Sequence, residues 1–176
     1  MNKKEQIQEE VPYESEQKSV RCPDAVQLAN GSIKTSIGFT PSMAEISIMS
    51  WKALKAGSLQ KFMYFSSSGL SCMTFFFGEV RVPPTNTYDR EPCDESVIPD
   101  GAAISALEFY LHESSLVKVE VKDHDSEPIL GFEGNQLSSS DPLTVAVSPT
   151  ELIVSARVET DGHGLNQLQF IIVDLN

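Results

Sequence analysis

The 176-residue sequence lacks most of the features that identify a metal protein or a nucleic-acid binder. Its three cysteines, Cys22, Cys72 and Cys93, have no CxxC spacing, which argues against a disulfide framework and a zinc site. Scattered thiols are typical of a reducing compartment, so we predict that all three are free. With 13 basic against 25 acidic residues, the net charge is −12. This balance excludes the basic face that a nucleic-acid binder needs and disfavours docking on an anionic membrane.

Long apolar runs and catalytic signatures are also absent. The segment MNKKEQIQEE has no apolar core of the signal-peptide kind, and the run around MTFFFG is too short to span a bilayer. We therefore expect an intracellular, cytoplasmic protein without membrane insertion. The sequence contains no GxSxG, no phosphate-cradling glycine loop and no Cys–His signature. It predicts a protein that is not an enzyme and needs no cofactor.

The chain divides by composition into a polar beginning and a globular remainder. Residues 1–24 are rich in Glu, Gln, Lys and Ser, with too little apolar surface to offset the entropy of ordering, which predicts a flexible tail outside the core. Residues 31–176 have the length and composition of one domain. Within it, residues 82–101 contain four prolines and many acids, and we expect a long exposed loop there.

Alternating apolar residues predict that this domain is all-β. LVKVEVK places Val117, Val119 and Val121 on one face of a strand, and QLQFIIVDL does the same with Leu168, Phe170 and Ile172. Similar runs, separated by turn residues at intervals near ten, give about eleven candidate strands in an antiparallel arrangement. SMAEISIMSWKALKAG fits either a strand or a short helix ended by Gly57, and its β-branched and aromatic residues favour a strand.

One acidic cluster resembles a cation site only in part. Asp123, Asp125 and Glu127 alternate as in calcium loops, but Pro128 and Gly134 stand where an EF-hand needs its glycine and its bidentate glutamate. The pattern favours a solvated turn after the preceding strand, with a metal site as the alternative.

The second half of the sequence, from ISALEFY to the end, resembles the jacalin-related lectins. ELIVSARVETDGHGLNQLQFIIV has the layout of that family's last hairpin, with Gly162 at the glycine of its Gly-x-x-x-Asp turn and Asn166 at the position of the acid. The resemblance covers about residues 103–176. It implies a β-prism of three four-stranded Greek-key sheets, with a β-sandwich as the alternative.

In the family, the terminal-loop acid and neighbouring backbone amides bind sugar hydroxyls. The resemblance therefore implies a carbohydrate site formed by Asp161, Gly162, His163, Gly164, Leu165 and Asn166. Because Asn166 brings no charge and the family's aromatic platform is missing, we expect any sugar binding to be weak. We predict instead a non-enzymatic interaction or scaffolding protein with protein partners, built into a larger assembly. A carbohydrate-binding module is the alternative.

Overall fold

The computed structural model describes residues 18–29, 34–65, 70, 72–84, 87–88, 94–113, 115–133, 137–138 and 141–175. These residues form two helices, α1 (Met43–Ile48) and α2 (Trp51–Ala56), neither of which is long and apolar enough to cross a membrane. They also form thirteen strands: β1 (Ser19–Arg21), β2 (Val26–Gln27), β3 (Thr35–Ile37), β4 (Leu59–Tyr64), β5 (Thr74–Phe77), β6 (Val80–Val82), β7 (Asp94–Val97), β8 (Ala106–His112), β9 (Ser115–Lys122), β10 (Pro128–Glu133), β11 (Leu143–Ala146), β12 (Glu151–Thr160) and β13 (Leu165–Asp174).

The strands form three antiparallel sheets. The first-half sheet has the order β6-β5-β4-β7, and the second-half sheet has the order β10-β9-β8-β11. In both, the fourth strand returns to lie beside the first, which is the Greek-key connection. The terminal sheet has the order β1-β13-β12-β3, with β2 also paired to β13. The predicted antiparallel Greek-key fold is confirmed.

All three sheets bury one face against a common core. Phe62 and Phe75 of the first-half sheet are 5.6 Å apart between ring centroids, and Phe62 lies 5.4 Å from Phe132 of the second-half sheet. Phe170 of the terminal sheet approaches Phe75 at 5.7 Å. Because aromatic side chains from three sheets meet in one core, the architecture is a prism, and the alternative of a two-layered sandwich is wrong.

The last strand of the chain is central to the terminal sheet. β13 pairs with β12 along one edge, and β1 and β2 share its other edge. Leu168, Phe170 and Ile172 lie in the common core, as their alternation predicts. The terminal sheet therefore contains strands from both the beginning and the end of the described chain.

A second apolar cluster covers the outside of the terminal sheet. It consists of Ile46 from α1, Leu54 from α2, and Val154, Ile171 and Val173 from the sheet. All five side chains are at most 1% exposed. We call this group the outer cluster. It gives the two innermost strands of the terminal sheet an apolar environment on both faces.

The strand favoured over residues 42–57 is wrong, because two capped helices stand there. The Ser42 side chain accepts a hydrogen bond from the Glu45 N–H, and the Ser50 side chain accepts one from the Ala53 N–H. Gly57 caps the end of α2, as the helical alternative predicts. The serines supply the N-caps that outweigh the strand propensity of Ile46 and Trp51, since capping satisfies backbone donors that have no partner in the first turn.

The boundaries of the tail and of the long loop also need correction. Residues 1–17 lie outside the described residues, but residues 18–24 include β1, whose Ser19–Arg21 pair with Ile172–Asp174. The loop expected over residues 82–101 contains β7, which pairs with β4, and Ile98 is buried. Backbone pairing thus brings Ser19–Arg21 and Asp94–Val97 into the domain.

Candidate functional site

The predicted carbohydrate site, residues 161–166, consists of the turn between β12 and β13 and the first two residues of β13. We call it the sugar loop. The Asp161 carboxylate accepts hydrogen bonds from the backbone N–H groups of His163 at 2.9 Å and Gly164 at 3.1 Å. Gly162 has a φ of 89°, a conformation that glycine adopts without strain. Asp161 therefore closes the turn with one carboxylate oxygen, and the Gly164 N–H is already used within the loop.

The end of this loop is buried. The Asn166 side chain is 2% exposed and Leu165 is 1% exposed, whereas His163 lies on the surface. The backbone carbonyl of Asn166 accepts hydrogen bonds from the N–H groups of Leu28 at 2.7 Å and Ala29 at 3.1 Å. The Asn166 amide nitrogen has no hydrogen-bond partner among the residues that the structure describes. The loop thus presents His163 to solvent and turns Asn166 inward.

Two residues that sequence reasoning did not assign lie against this loop. The Cys72 thiol donates to the His163 carbonyl at 3.0 Å, and the Tyr88 hydroxyl donates to the Met73 carbonyl at 2.5 Å. Burial, followed by the nearby Cys72 and Asp161, raises the pKa of Tyr88 above its ordinary value. The hydrogen bond from Cys72 joins the sugar loop to the segment that leads into β5. No local motif signals these contacts, because the partners are far apart in sequence.

The cysteine prediction is confirmed for two residues. Cys22 is exposed and Cys72 is buried, and neither forms a disulfide. Cys93 lies outside the described residues.

The acidic cluster after β9 forms a turn. One oxygen of the Asp123 carboxylate accepts hydrogen bonds from the N–H groups of Asp125 at 2.8 Å and Glu127 at 3.0 Å. The Asp123 N–H in turn donates to the Glu127 carbonyl. Within the described ranges, no three His, Cys, Asp or Glu side chains are grouped so as to hold a metal ion. The Asp123 carboxylate thus caps the β9–β10 hairpin, and the metal alternative for Asp123, Asp125 and Glu127 stays a prediction.

An apolar groove of about 490 Å³ lies between the two helices and the β5–β6 hairpin. We call it the apolar groove. Among its lining residues, only Glu45 carries a charge. Its lining residues are Thr40, Pro41, Glu45, Ile48, Met49, Leu54, Gly57, Phe77, Val80 and Val154. Ile48 is 73% exposed and Val80 is 38% exposed, and the nearby helix residue Met43 is 47% exposed. The groove is an open apolar surface beside the outer cluster.

A second cavity of about 460 Å³ lies where β4, the segment after β7 and the turn before β12 meet. Glu151 lines it, and the Arg21 side chain binds the Glu151 carboxylate at 2.7 and 2.8 Å. The Ser148 N–H also donates to Glu151 at 2.9 Å. The hydrogen bonds from Arg21 are the main reason why the pKa of Glu151 is lowered to about 2. The Glu151 carboxylate therefore stabilises the position of β1 through its hydrogen bonds with Arg21, the last residue of that strand.

The fold is similar to that of solved β-prism lectins. A Malaysian banana lectin superimposes with a TM-score of 0.53 at 10% identity, over 89% of this chain and 99% of its own. The Calystegia sepium agglutinin gives 0.51 at 10% identity, over 89% and 96%. Another similar solved structure, that of a lamprey immune protein, gives a TM-score of 0.54 at 11% identity, over 88% of this chain and 44% of its own. No protein-family model and no curated protein matches the sequence. The resemblance to jacalin-related lectins is confirmed at the level of the fold.

Proposed function

We propose that the chain is a non-enzymatic interaction domain, a lectin-like β-prism that binds another protein through the apolar groove as part of a larger assembly. The observation that carries this proposal is the exposure of Ile48 at 73% and Val80 at 38% on one continuous apolar surface. Contiguous exposed apolar surface is typical of interaction sites, whereas single exposed apolar residues are ordinary. The groove offers few polar groups, so a ligand with apolar side chains fits it better than a sugar.

The groove lies on a scaffold that is rigid enough for binding. Leu54, which lines its floor, is fully buried in the outer cluster, and Val154 comes from the middle of β12. Phe77 reaches the groove from β5 and is 1% exposed. The walls therefore belong to elements that are packed on two sheets, which lowers the entropy cost of ordering the surface on binding.

Photo-crosslinking in an extract of the source cells tests this proposal. A benzophenone amino acid in place of Val80 should form adducts with another protein, and Ile48→Asp should reduce their yield. The loss should exceed about tenfold, since burial of an Ile side chain contributes about 1.5–3 kcal/mol. Leu137→Asp is the matched control, because Leu137 is 86% exposed and lies outside the groove. Equal loss in both variants, or adducts unaffected by Ile48→Asp, would contradict the proposal.

Carbohydrate binding at the loop of Asp161, Gly162, His163, Gly164, Leu165 and Asn166 is the second candidate. The observation that favours it is the Asn166 amide nitrogen, which lacks a partner within the described part of the chain. Because this side chain is 2% exposed and carries no charge, we expect millimolar affinity at best, about −4 kcal/mol of binding free energy.

A sugar titration separates the two candidates. Mannose, galactose and glucose are added while the His163 resonances are followed by NMR, in the native chain and in Asn166→Ala. Saturation at micromolar sugar that is lost in Asn166→Ala would favour the lectin over the interaction domain. Absence of competition by these sugars in the crosslinking experiment would favour the apolar groove.

A further inference from the structure

One end of the prism contains a cavity that is separate from the sugar loop and from the apolar groove. It is the second cavity, of about 460 Å³, which we call the end cavity. The first residues of β12 line it, and the ten residues of that strand lead to the sugar loop, which is roughly 30 Å away along extended chain. The end cavity shares no lining residue with the apolar groove, so a ligand here is independent of the proposed function.

The floor of the end cavity is aliphatic and comes from all three sheets. Leu59 begins β4, Ile153 lies near the start of β12, and Ile98 and Val147 directly follow β7 and β11. These four side chains are between 3% and 7% exposed and belong to the common core. The volume of the end cavity falls within the range of about 300–1,000 Å³ that is typical of small-molecule sites.

Gln60 joins the two elements that carry charge at the rim of the end cavity. Its carbonyl accepts a hydrogen bond from the Ile98 N–H at 2.8 Å, and its side-chain amide donates to the Ala56 carbonyl at 2.9 Å. Ala56 is the last residue of α2 and follows Lys55, whereas Asp100 stands two residues after Ile98. Lys55 and Asp100 both line the end cavity and are exposed. The contacts of Gln60 therefore bring a positive and a negative side chain to one rim.

The charges of Lys55 and Asp100 are open to a ligand. Among the described residues, neither side chain has an ion-pair or hydrogen-bond partner. By contrast, the Ser58 hydroxyl donates to the Lys55 carbonyl at 2.8 Å, and the Glu151 carboxylate is bound by Arg21. A ligand with only a negative charge would face Asp100, and one with only a positive charge would face Lys55. The pair therefore selects for a ligand that carries both charges.

We propose that the end cavity binds a small zwitterion with an aliphatic body, a free apolar amino acid or a short apolar peptide. The ligand carboxylate binds the Lys55 ammonium, and the ligand ammonium binds the Asp100 carboxylate. The aliphatic side chain of the ligand lies against Leu59 and Ile153 on the floor. Burial of this side chain contributes affinity, and the two charge-assisted hydrogen bonds fix the orientation of the ligand.

Titration of the purified full chain with L-leucine and with L-leucyl-L-leucine tests this proposal. NMR follows the ¹⁵N-labelled amides of Gly101 and Ala103, which line the end cavity. At least one probe should give saturable shifts there with a Kd of about 1 mM or below. Saturation by leucine alone identifies an amino-acid site, and saturation by the dipeptide alone identifies a peptide site. The proposal is overturned if neither probe saturates by about 10 mM, or if the shifts lie at His163 and Gly164 of the sugar loop instead.

Derivatives of the bound probe test its two charges separately. The N-acetyl form lacks the ammonium, and the C-terminal amide form lacks the carboxylate. Each should bind about tenfold more weakly than the zwitterion, because one charge-assisted hydrogen bond is lost. Equal affinity of the three forms would show that the charges are not recognised and would overturn the proposal.

Two variants assign each charge to its residue. Lys55→Met should weaken binding of the zwitterion about tenfold and leave the amide form undiminished, since that form has no carboxylate for Lys55 to bind. Asp100→Asn should weaken the zwitterion in the same way and leave the N-acetyl form undiminished. Lys52→Met is the matched control, because Lys52 is an exposed lysine of the same helix that does not line the end cavity. Equal losses in Lys52→Met and Lys55→Met, or zwitterion affinity unchanged in both Lys55→Met and Asp100→Asn, would overturn the proposal.

Discussion

The outer faces of the terminal sheet and of the second-half sheet are covered in different ways, although both sheets contribute their inner faces to the same core. On the terminal sheet, Val154, Ile171 and Val173 are buried beneath two helices and belong to the outer cluster. Because both faces of β12 and β13 are buried, neighbouring residues along these strands are apolar, and not only every second residue. The four consecutive apolar residues FIIV in β13 are the sequence pattern expected for burial on both faces.

The second-half sheet leaves a charged network on its outer face. Glu108 and Glu120 stand directly opposite each other on β8 and β9, a pairing that is unfavourable for like charges. The Lys122 ammonium relieves it, at 3.0 Å from Glu108 and 3.9 Å from Glu120. The Tyr110 hydroxyl donates to both carboxylates, at 3.0 and 3.3 Å, and Lys118 lies over its ring.

The difference shows where helices are needed in this fold. Six-residue helices are marginal in isolation, so α1 and α2 depend on the outer cluster as much as the cluster depends on them. The charged network needs no such cover, because its groups can exchange hydrogen bonds with water. Loss of one apolar contact should therefore cost much more stability than loss of one polar contact.

The largest effect is expected from Leu54→Ala. Leu54 is 0% exposed in the outer cluster, and its truncation leaves a cavity between α2 and the terminal sheet. We expect a loss of about 2–4 kcal/mol in the free energy of unfolding, measured by urea denaturation. Ile48→Ala is the control, since Ile48 is 73% exposed, and it should cost less than about 0.5 kcal/mol. Equal costs would mean that the helices do not depend on the cluster.

A smaller, pH-dependent effect is expected from Glu151→Gln. The hydrogen bonds from Arg21 lower the pKa of Glu151 from 4.5 to about 2 in the folded chain. Because the folded pKa lies below the unfolded value, this stabilisation is present above pH 4.5 and is lost as the pH falls towards 2. The Arg21 side chain is 45% exposed, so we discount the effect for solvent screening to about 1–2 kcal/mol at neutral pH.

The measurement is the free energy of unfolding of both chains between pH 7 and pH 2. The native chain and Glu151→Gln should differ at neutral pH and converge in acid. Glu79→Gln provides the control, because Glu79 is exposed in the β5–β6 turn. A constant difference across this range would show that the carboxylate charge does not hold β1 to the terminal sheet.

The strands could be predicted well from the sequence because their side-chain contacts follow a simple period. Val119 and Val121 lie in the common core as expected, while Leu116 takes the place of Val117 after a register shift near the β8–β9 turn. The helices were missed because Ile46 and Trp51 raised the apparent strand propensity. The sequence Ser42-Met43-Ala44-Glu45 carries a capping signature that would have identified α1.

The candidate sites could be predicted only in part. The sugar loop is contiguous in sequence, so its residues could be named, but the burial of Asn166 depends on Leu28 and Ala29, which are far away along the chain. The apolar groove combines residues from α1, α2, β12 and the β5–β6 hairpin. No local pattern contains this arrangement, since it exists only after the helices pack on the terminal sheet.

The smallest effect is expected from Tyr110→Phe in the charged network. The substitution keeps the ring beneath Lys118 and removes the hydroxyl that donates to Glu108 and Glu120. Because water can replace these hydrogen bonds on a half-buried surface, we expect a loss of about 0.5–1 kcal/mol in the free energy of unfolding.

Burial, and then the hydrogen bond to Glu108, raises the pKa of Tyr110 above its ordinary value of 10.0. The unfolded phenol therefore ionises first, and stability should fall as the pH rises above 10.0, by less in Tyr110→Phe than in the native chain. Denaturation at pH 8 and pH 11 checks both statements. A loss of unfolding free energy in Tyr110→Phe as large as that in Leu54→Ala would contradict this prediction. The charged network would then stabilise the second-half sheet as strongly as the outer cluster stabilises the terminal sheet.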